Sequence, residues 1–378
     1  MMHLIILYII CCFTIIYFIS ILFYLIGNFK KISTTKNNKL NSISIIVAVK
    51  NGEKSLPYLL DDLIAQNYEG KFECIIVDDQ STDDTKNIIK KYSVINDKIK
   101  YVSSDEGNNN LSFKKKALDA GINKSQHNIL LFTDVDCRLP KTWITSMNSH
   151  FHDKTDYLIG VAKIDRYKNL ISHFQMIDLQ ILFTVARGMT NLKFPFAAIG
   201  QNQAYRKTLY DKVGFLDISD SIQGDDTLFL QLCLKNKIRV DFNDNINSFV
   251  TSRNEENFIS FIKQRIRWAA DLKVFWNYNK PLFIISLSTY ITNLLIVLSA
   301  ISISFFNKMV FPFLYPMILA KLILEYILYN IGSKNLSFKM NNMTFIYWFF
   351  LNVPYVVLMG AGSFFVKYIK WRGQKIHK

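Results

Sequence analysis

The chain has 378 residues, of which 50% are hydrophobic, with a mean hydropathy of +0.13 and a formal net charge of +15. That length holds one sizeable soluble domain plus membrane segments rather than a string of domains. The basic residues are dispersed and concentrate beside apolar spans, with no nucleic-acid-binding motif, so the charge points to anionic lipid and not to nucleic acid.

Residues 4–26 are uncharged and apolar. At about 1.5 Å per residue they reach about 34 Å, enough to cross a hydrocarbon core of about 30 Å. Residues 1–28 therefore read as a transmembrane anchor. A basic start and a small-residue cleavage site, the marks of a signal peptide, are missing. Lys30, Lys31, Lys36 and Lys39 follow the span. By the positive-inside rule the N-terminus faces out and the next domain lies in the cytoplasm.

From 41 to 281 strand and helix alternate. The pattern predicts strands over 44–49, 72–77, 99–102 and 128–133, and helices over 56–66, 84–92 and 114–122. Such alternation implies an α/β domain with a mainly parallel sheet and ligands beyond the carboxyl ends of its strands. Two acidic clusters fall at those ends, Asp78-Asp79 and Asp134-Val135-Asp136. Residues i and i+2 of a strand point the same way, so Asp134 and Asp136 are expected to reach one side together. Two carboxylates suit a hard divalent cation that bridges to phosphates. A solvated strand-end turn accounts for an isolated D-x-D as well, and Asp78 and Asp79 could simply cap the next helix. Lys114, Lys115 and Lys116 open a helix, either as a solvated basic face or as a diphosphate contact. Asp225 and Asp226 precede the apolar run 228–234, where they could cap a helix or act as a general base.

Apolar residues recur at helical spacing through 257–274 amid Lys263, Arg265, Arg267 and Lys273, which reads as an amphipathic helix at the membrane surface. Gln264, Arg267 and Trp268 stand at i, i+3 and i+4 on one face. Arg267 beside Trp268 would pair phosphate oxygens with a flat surface for a sugar ring, or else serve as interfacial anchors. Further candidate spans cover 282–306, 309–331 and 343–366. The middle one contains Lys321 and Glu325, i,i+4 neighbours that can pair. A basic tail, 367–378, follows with Lys367, Lys370, Arg372, Lys375 and Lys378. Three simple spans would leave that tail outside, while its charges favour inside. The tail charges weigh more, which makes 309–331 the doubtful span. The five cysteines, Cys11, Cys12, Cys74, Cys137 and Cys233, have no metal-ligand spacing, and their odd number fits reduced thiols.

These motifs as a set resemble family 2 glycosyltransferases, which have a Rossmann-like GT-A fold. The resemblance rests on 44–51, on Ile76 to Asp83, on Thr133-Asp134-Val135-Asp136-Cys137, on Gly200 to Arg206, on Gly224-Asp225-Asp226 and on the Q-x-x-R-W run Gln264 to Trp268. It is nearest to the membrane-embedded branch that includes cellulose, chitin, hyaluronan and poly-N-acetylglucosamine synthases and ceramide glucosyltransferases. It implies a cytoplasmic GT-A domain with flanking membrane helices and an inverting transfer from a nucleotide-sugar, expected to be UDP-linked. The acceptor would be a lipid or a growing glycan. It also implies roles. Asp78 and Asp79 would hold the uracil and ribose end, Lys114 and Asp134 would lie near the nucleotide diphosphate, and Asp136 with Asp134 would bind Mg2+ or Mn2+. Asp226, or alternatively Asp225, would be the general base, with Asp226 preferred. Gln264, Arg267 and Trp268 would form the acceptor-side wall and help hold the diphosphate. Trp371-Arg372-Gly373 resembles a cytoplasmic tail of related enzymes. The chain departs from the pattern at Gln80 and Phe113, where glycine is usual, and at Asp225, where glutamate is common. A polyprenyl-phosphate sugar transferase and a non-catalytic membrane protein on the same fold are the alternatives.

Overall fold

The structure is a computed structural model that describes residues 2–30, 37–164, 169–219, 221, 224–305, 311–368, 370–371 and 374–375. Lys31, Lys36, Phe306, Met309, Arg372, Gly373 and Lys378, on which sequence expectations fall, lie outside the described residues. The elements in chain order are α1 (Met2–Phe29), β1 (Ile43–Val49), α2 (Leu56–Ile64), β2 (Phe72–Asp78), α3 (Thr85–Ile95), β3 (Ile99–Ser103), α4 (Phe113–Lys124), β4 (Ile129–Phe132), α5 (Trp143–His150), β5 (Tyr157–Ile159), β6 (Ala162–Ile164) and α6 (Leu170–Asn191). They continue with β7 (Gln203–Arg206), α7 (Lys207–Val213), α8 (Thr227–Leu234), β8 (Val240–Phe242), β9 (Val250–Ser252), α9 (Phe258–Ala270), α10 (Leu272–Tyr278), α11 (Lys280–Phe305), α12 (Phe311–Asn335), α13 (Asn342–Gly362), β10 (Lys370–Trp371) and β11 (Gln374–Lys375). Contacts group them into two compact units. One comprises Met1–Lys30, Tyr167–Met189 and Glu255–Lys378, the other Lys31–Arg166 and Thr190–Asn254.

The second unit is built on a seven-stranded sheet in the order β3-β2-β1-β4-β7-β5-β8. Its strands pair parallel except where β7 runs antiparallel to β4 and β5. Every residue of β1 and β2 is buried, as expected of central parallel strands covered on both faces, and this is why they read as mainly apolar runs, with Ser44, Glu73 and Asp78 their polar members. Glu73 on β2 is buried and hydrogen-bonded. It accepts from Ser44 Oγ at 2.6 Å, from Lys100 Nζ at 2.5 Å and from the Gln126 N–H at 2.7 Å. Burial pushes its carboxyl up, yet Lys100 and these hydrogen bonds outweigh burial and hold it below the usual carboxylate range. The parallel register aligns Val49 with Asp78, so the loops after β1 and β2 emerge side by side. Asn51 Oδ1 accepts from the Thr82 N–H at 2.8 Å, Ser81 Oγ accepts from the Asn51 N–H at 2.9 Å, and Thr85 Oγ1 accepts from the Gly52 N–H at 2.8 Å.

The first unit is helical. Among the described residues, four of its helices are long and apolar enough to cross a membrane, over Tyr8–Phe29, Lys280–Ile301, Leu314–Asn335 and Asn342–Val366. α12 is one continuous helix of 25 residues despite Pro316 inside it. Its Lys321 and Glu325 do pair, at 2.7 Å, and Glu325 also accepts from Tyr17 Oη on α1 at 2.7 Å. α6 belongs to this unit: Phe174 and Ile177 form one apolar cluster with Phe261 of α9, Tyr329 of α12 and Phe345, Trp348 and Phe349 of α13. The amphipathic stretch expected as one helix is two, α9 and α10, meeting at Asp271.

Candidate active site

Each strand-end cluster of the sheet unit meets a different fate. Asp78, the last residue of β2, is buried, and its Oδ1 accepts from the Ser81 N–H at 3.1 Å, which closes the turn into α3. Asp79 is half-buried and its N–H donates to the Val49 carbonyl at 2.7 Å. β4 ends at Phe132, so Asp134-Val135-Asp136 is not strand. The Cys137 N–H instead returns to the Asp134 carbonyl at 3.1 Å, closing a turn. The alternation expected of a strand is therefore lost, because the backbone turns one residue after the sheet ends. Asp134 is half-buried, Asp136 is exposed, and only the buried Val135 behaves as expected.

Lys114, at the start of α4, gathers what the sequence leaves apart. Its Nζ lies 2.8 Å from Asp134 Oδ1 and 2.8 Å from Asp225 Oδ2, so one ammonium ties the turn after β4 to the loop before α8. Burial pulls the ammonium toward neutrality, but the two carboxylates outweigh it and hold Lys114 above the ordinary lysine range. The next residue, Lys115, is buried and donates to the Ser221 carbonyl, a second tie to the same loop. Asp226 caps α8: its Oδ1 accepts from the Thr227 N–H at 2.5 Å and its Oδ2 from the Gly200 N–H at 3.1 Å. Capping and proximity to Lys114 and Asp225 thus coexist. Burial pushes the Asp226 carboxyl up to about 6 and the Asp225 carboxylate adds to the rise, while Lys114 and the two N–H groups oppose it.

The segment 200–206, which carries part of the resemblance, also contributes to this cluster. A Cβ on Gly200 would lie 3.1 Å from both Lys114 Nζ and Asp225 Oδ2 and 3.7 Å from Asp226 Oδ2, so the glycine keeps a space open between cation and carboxylates. Gln203 donates to the Asp225 carbonyl at 3.1 Å and accepts from Tyr157 Oη. Asn202 anchors the segment from behind, receiving Trp143 Nε1 at 3.0 Å and donating to the carbonyls of Val161 and Ser248, each at 2.8 Å. The two departures from glycine sit where the backbone is left-handed, Gln80 at φ +54° and Phe113 at φ +56°. The family preference for glycine at these places then has a plain steric cause.

In the helical unit, α9 carries the Q-x-x-R-W run. Gln264 Nε2 donates to Glu255 Oε1 at 3.2 Å. The guanidinium over Trp268 is that of Arg265, 4.0 Å from the ring centroid, where the spacing suggests Arg267. Arg265 is buried and Arg267, like Gln264 and Trp268, is half-buried.

For the divalent cation that the fold family implies, the fit rests on donor chemistry. Among the described residues no three His, Cys, Asp or Glu side chains group as a metal site. The exposed Asp136 and half-buried Asp134 are hard oxygen donors on one turn. They suit Mg2+ or Mn2+, ions commonly held by one or two carboxylates together with substrate phosphates.

The fold and this arrangement of carboxylates define a GT-A-like α/β protein, and comparison with known proteins agrees. Residues 44–214 match the model of Glycosyl transferase family 2. This segment holds Asp78, Asp79, Lys114, Asp134 and Asp136, while Asp225, Asp226 and α9 lie beyond the match. Among relatives, the chain is similar to poly-beta-1,6-N-acetyl-D-glucosamine synthase of Staphylococcus aureus, at 26% identity over 61% of this chain and 55% of that protein. It is also similar to undecaprenyl-phosphate 4-deoxy-4-formamido-L-arabinose transferase of Proteus mirabilis, at 31% identity over 40% of this chain and 46% of that protein. The chain thus spans about half the length of these relatives. The solved structure of the mannosyltransferase PcManGT from Pyrobaculum calidifontis, in complex with GDP-Man and Mn2+, shares the fold. Its TM-score is 0.60 at 13% identity, covering 95% of this chain and 99% of that one.

Proposed function

We propose that the chain is a membrane-bound, inverting glycosyltransferase that moves a sugar from a nucleotide-sugar, UDP-linked, to a lipid or growing glycan. The observation that carries this reading is the bridge from Lys114 to Asp134 and Asp225, which unites the D-x-D turn and the base loop beside Asp226. In the proposed reaction Asp226 takes the proton of an acceptor hydroxyl. The acceptor oxygen forms its bond to the anomeric carbon as the bond to the diphosphate breaks from the opposite face, and a nucleoside diphosphate leaves. Asp78 and Asp79 would hold the base and ribose. Lys114, released in part from its carboxylates, would face the diphosphate as a point charge. Asp134 and Asp136 would hold Mg2+ or Mn2+, which when bound supplies charge neutralisation to the leaving diphosphate. Gln264, Arg267 and Trp268 are assigned the acceptor side on the motif alone. The charges after the first span support a cytoplasmic catalytic domain with the N-terminus outside.

A second reading, transfer of one sugar to a polyprenyl phosphate, is favoured by the Proteus mirabilis relative and disfavoured by the Q-x-x-R-W run. The product separates the two. Full-length protein in vesicles, given a panel of nucleotide sugars, should release a nucleoside diphosphate and add sugar mass to an acceptor. A monosaccharide on polyprenyl phosphate as the sole product would favour the second reading, a sugar on any other lipid or on a growing glycan the first, and release without any acceptor product would contradict both.

A further inference from the structure

One face of α6 reaches the Q-x-x-R-W run twice. Gln175 and Asp178 stand at i and i+3 on α6, so they share a face. Gln175 clasps the backbone of Glu255, donating to its carbonyl at 2.9 Å and accepting its N–H at 3.1 Å. The Glu255 carboxylate in turn accepts from Gln264 at 3.2 Å. Three residues on, Asp178 Oδ2 lies 3.2 Å from Arg265 Nη2, and the Arg265 guanidinium covers the Trp268 ring at 4.0 Å. Both members of this ion pair are buried, in a setting made aromatic by Phe174, Phe261 and Tyr355. A buried pair in apolar surroundings tolerates little displacement, because each charge depends on its partner.

We propose that Gln175 and Asp178 are positioning residues for the acceptor-side motif. Gln175 sets Gln264 through Glu255, and Asp178 sets the Trp268 ring through Arg265. The proposal rests on the glycosyltransferase reading for its consequence, but not for its geometry. If it holds, disturbing α6 should damage transfer to an acceptor more than donor breakdown, since the motif it positions is assigned first to the acceptor side.

The test uses the full chain in phosphatidylglycerol vesicles with 5-fluorotryptophan, the Trp268 resonance being assigned through Trp268→Phe. Asp178→Asn should shift or split that resonance, and Asp178→Glu should restore it. Because Asp178→Asn leaves Arg265 without its charge partner, the apolar pair Asp178→Leu with Arg265→Met is made alongside and should fold. In that pair, nucleotide release without acceptor should fall by less than transfer does. Transfer to undecaprenyl phosphate or to a short N-acetylglucosamine oligosaccharide, whichever the unaltered chain uses, should fall about tenfold or more through acceptor KM. A Trp268 resonance unmoved in Asp178→Asn, or equal losses of donor breakdown and transfer in the apolar pair, would overturn the proposal. If the unaltered chain turns over no nucleotide sugar, the glycosyltransferase reading fails while the resonance still decides the positioning.

Discussion

Asp226 caps α8 and is also the residue proposed to take the acceptor's proton, and the two roles pull its carboxyl in opposite directions. Two backbone N–H groups favour the charged form, while burial and Asp225 push the carboxyl up to about 6, above its ordinary value of 3.8. The raised value means that the stability Asp226 contributes is fully present below its unfolded pKa and is lost as pH rises through about 6. Activity runs the other way, since a base must be ionised. Transfer is expected to rise across pH 6, and Lys114→Met should move that acid limb to higher pH, because Lys114 is the cation that lowers Asp226. A pH–rate profile checks this, and a limb unmoved in Lys114→Met would detach the proton acceptor from this cluster. A second residue-scale expectation concerns Phe113 at φ +56°. Phe113→Gly should be more stable than Phe113→Ala by about 1 kcal/mol, since only glycine sits in the left-handed region without a Cβ penalty. Denaturant unfolding measures the order. The acidic positions are legible in the sequence because they follow apolar strands, but their geometry is not. A strand that stops at Phe132 and a lysine reaching from α4 are tertiary facts.

At the scale of elements, β1, β2, β3, β4 and α4 lie within about two residues of where periodicity puts them, because each buries apolar side chains at the spacing of its own element. α6 escapes sequence reasoning for the opposite reason. Its buried face mixes polar side chains, Ser172, Gln175, Asp178, Gln180, Thr184 and Arg187, with apolar ones such as Phe174 and Ile177, so the hydrophobic stripe that betrays a helix is blurred. Two glycines mark how closely it packs: a Cβ on Gly27 of α1 would come within 2.0 Å of the Gly188 carbonyl oxygen. In α12 the ion pair expected from spacing forms, and Lys321 is fully buried. Removing one partner strands the other in an apolar bundle, so Lys321→Met should cost about 3 kcal/mol or more, while Lys321→Met with Glu325→Leu should recover most of it. Thermal unfolding of the full chain in detergent distinguishes these, and equal losses in the single and double variants would show that the pair contributes nothing as a pair.

For the whole molecule, the pattern of the sequence anticipates an α/β domain with long apolar helices at both ends. It does not anticipate that a segment from within the domain, Tyr167–Met189, groups with those helices. The pairing of Lys321 with Glu325 lowers the cost of placing α12 in a membrane, while the objection from the basic tail's charges stands apart from it. The joining of Lys114, Asp134 and Asp225 beside Asp226 into one cluster carries the proposed function. The measurement that tests it is sugar transfer by the full chain in vesicles, with mass spectrometry of the acceptor, for the unaltered protein and for Asp226→Asn. The account predicts that the unaltered chain adds sugar to an acceptor with matching release of a nucleoside diphosphate. It also predicts that Asp226→Asn binds the same donor yet transfers about 100-fold more slowly or worse. Transfer by Asp226→Asn at the unaltered rate would contradict it.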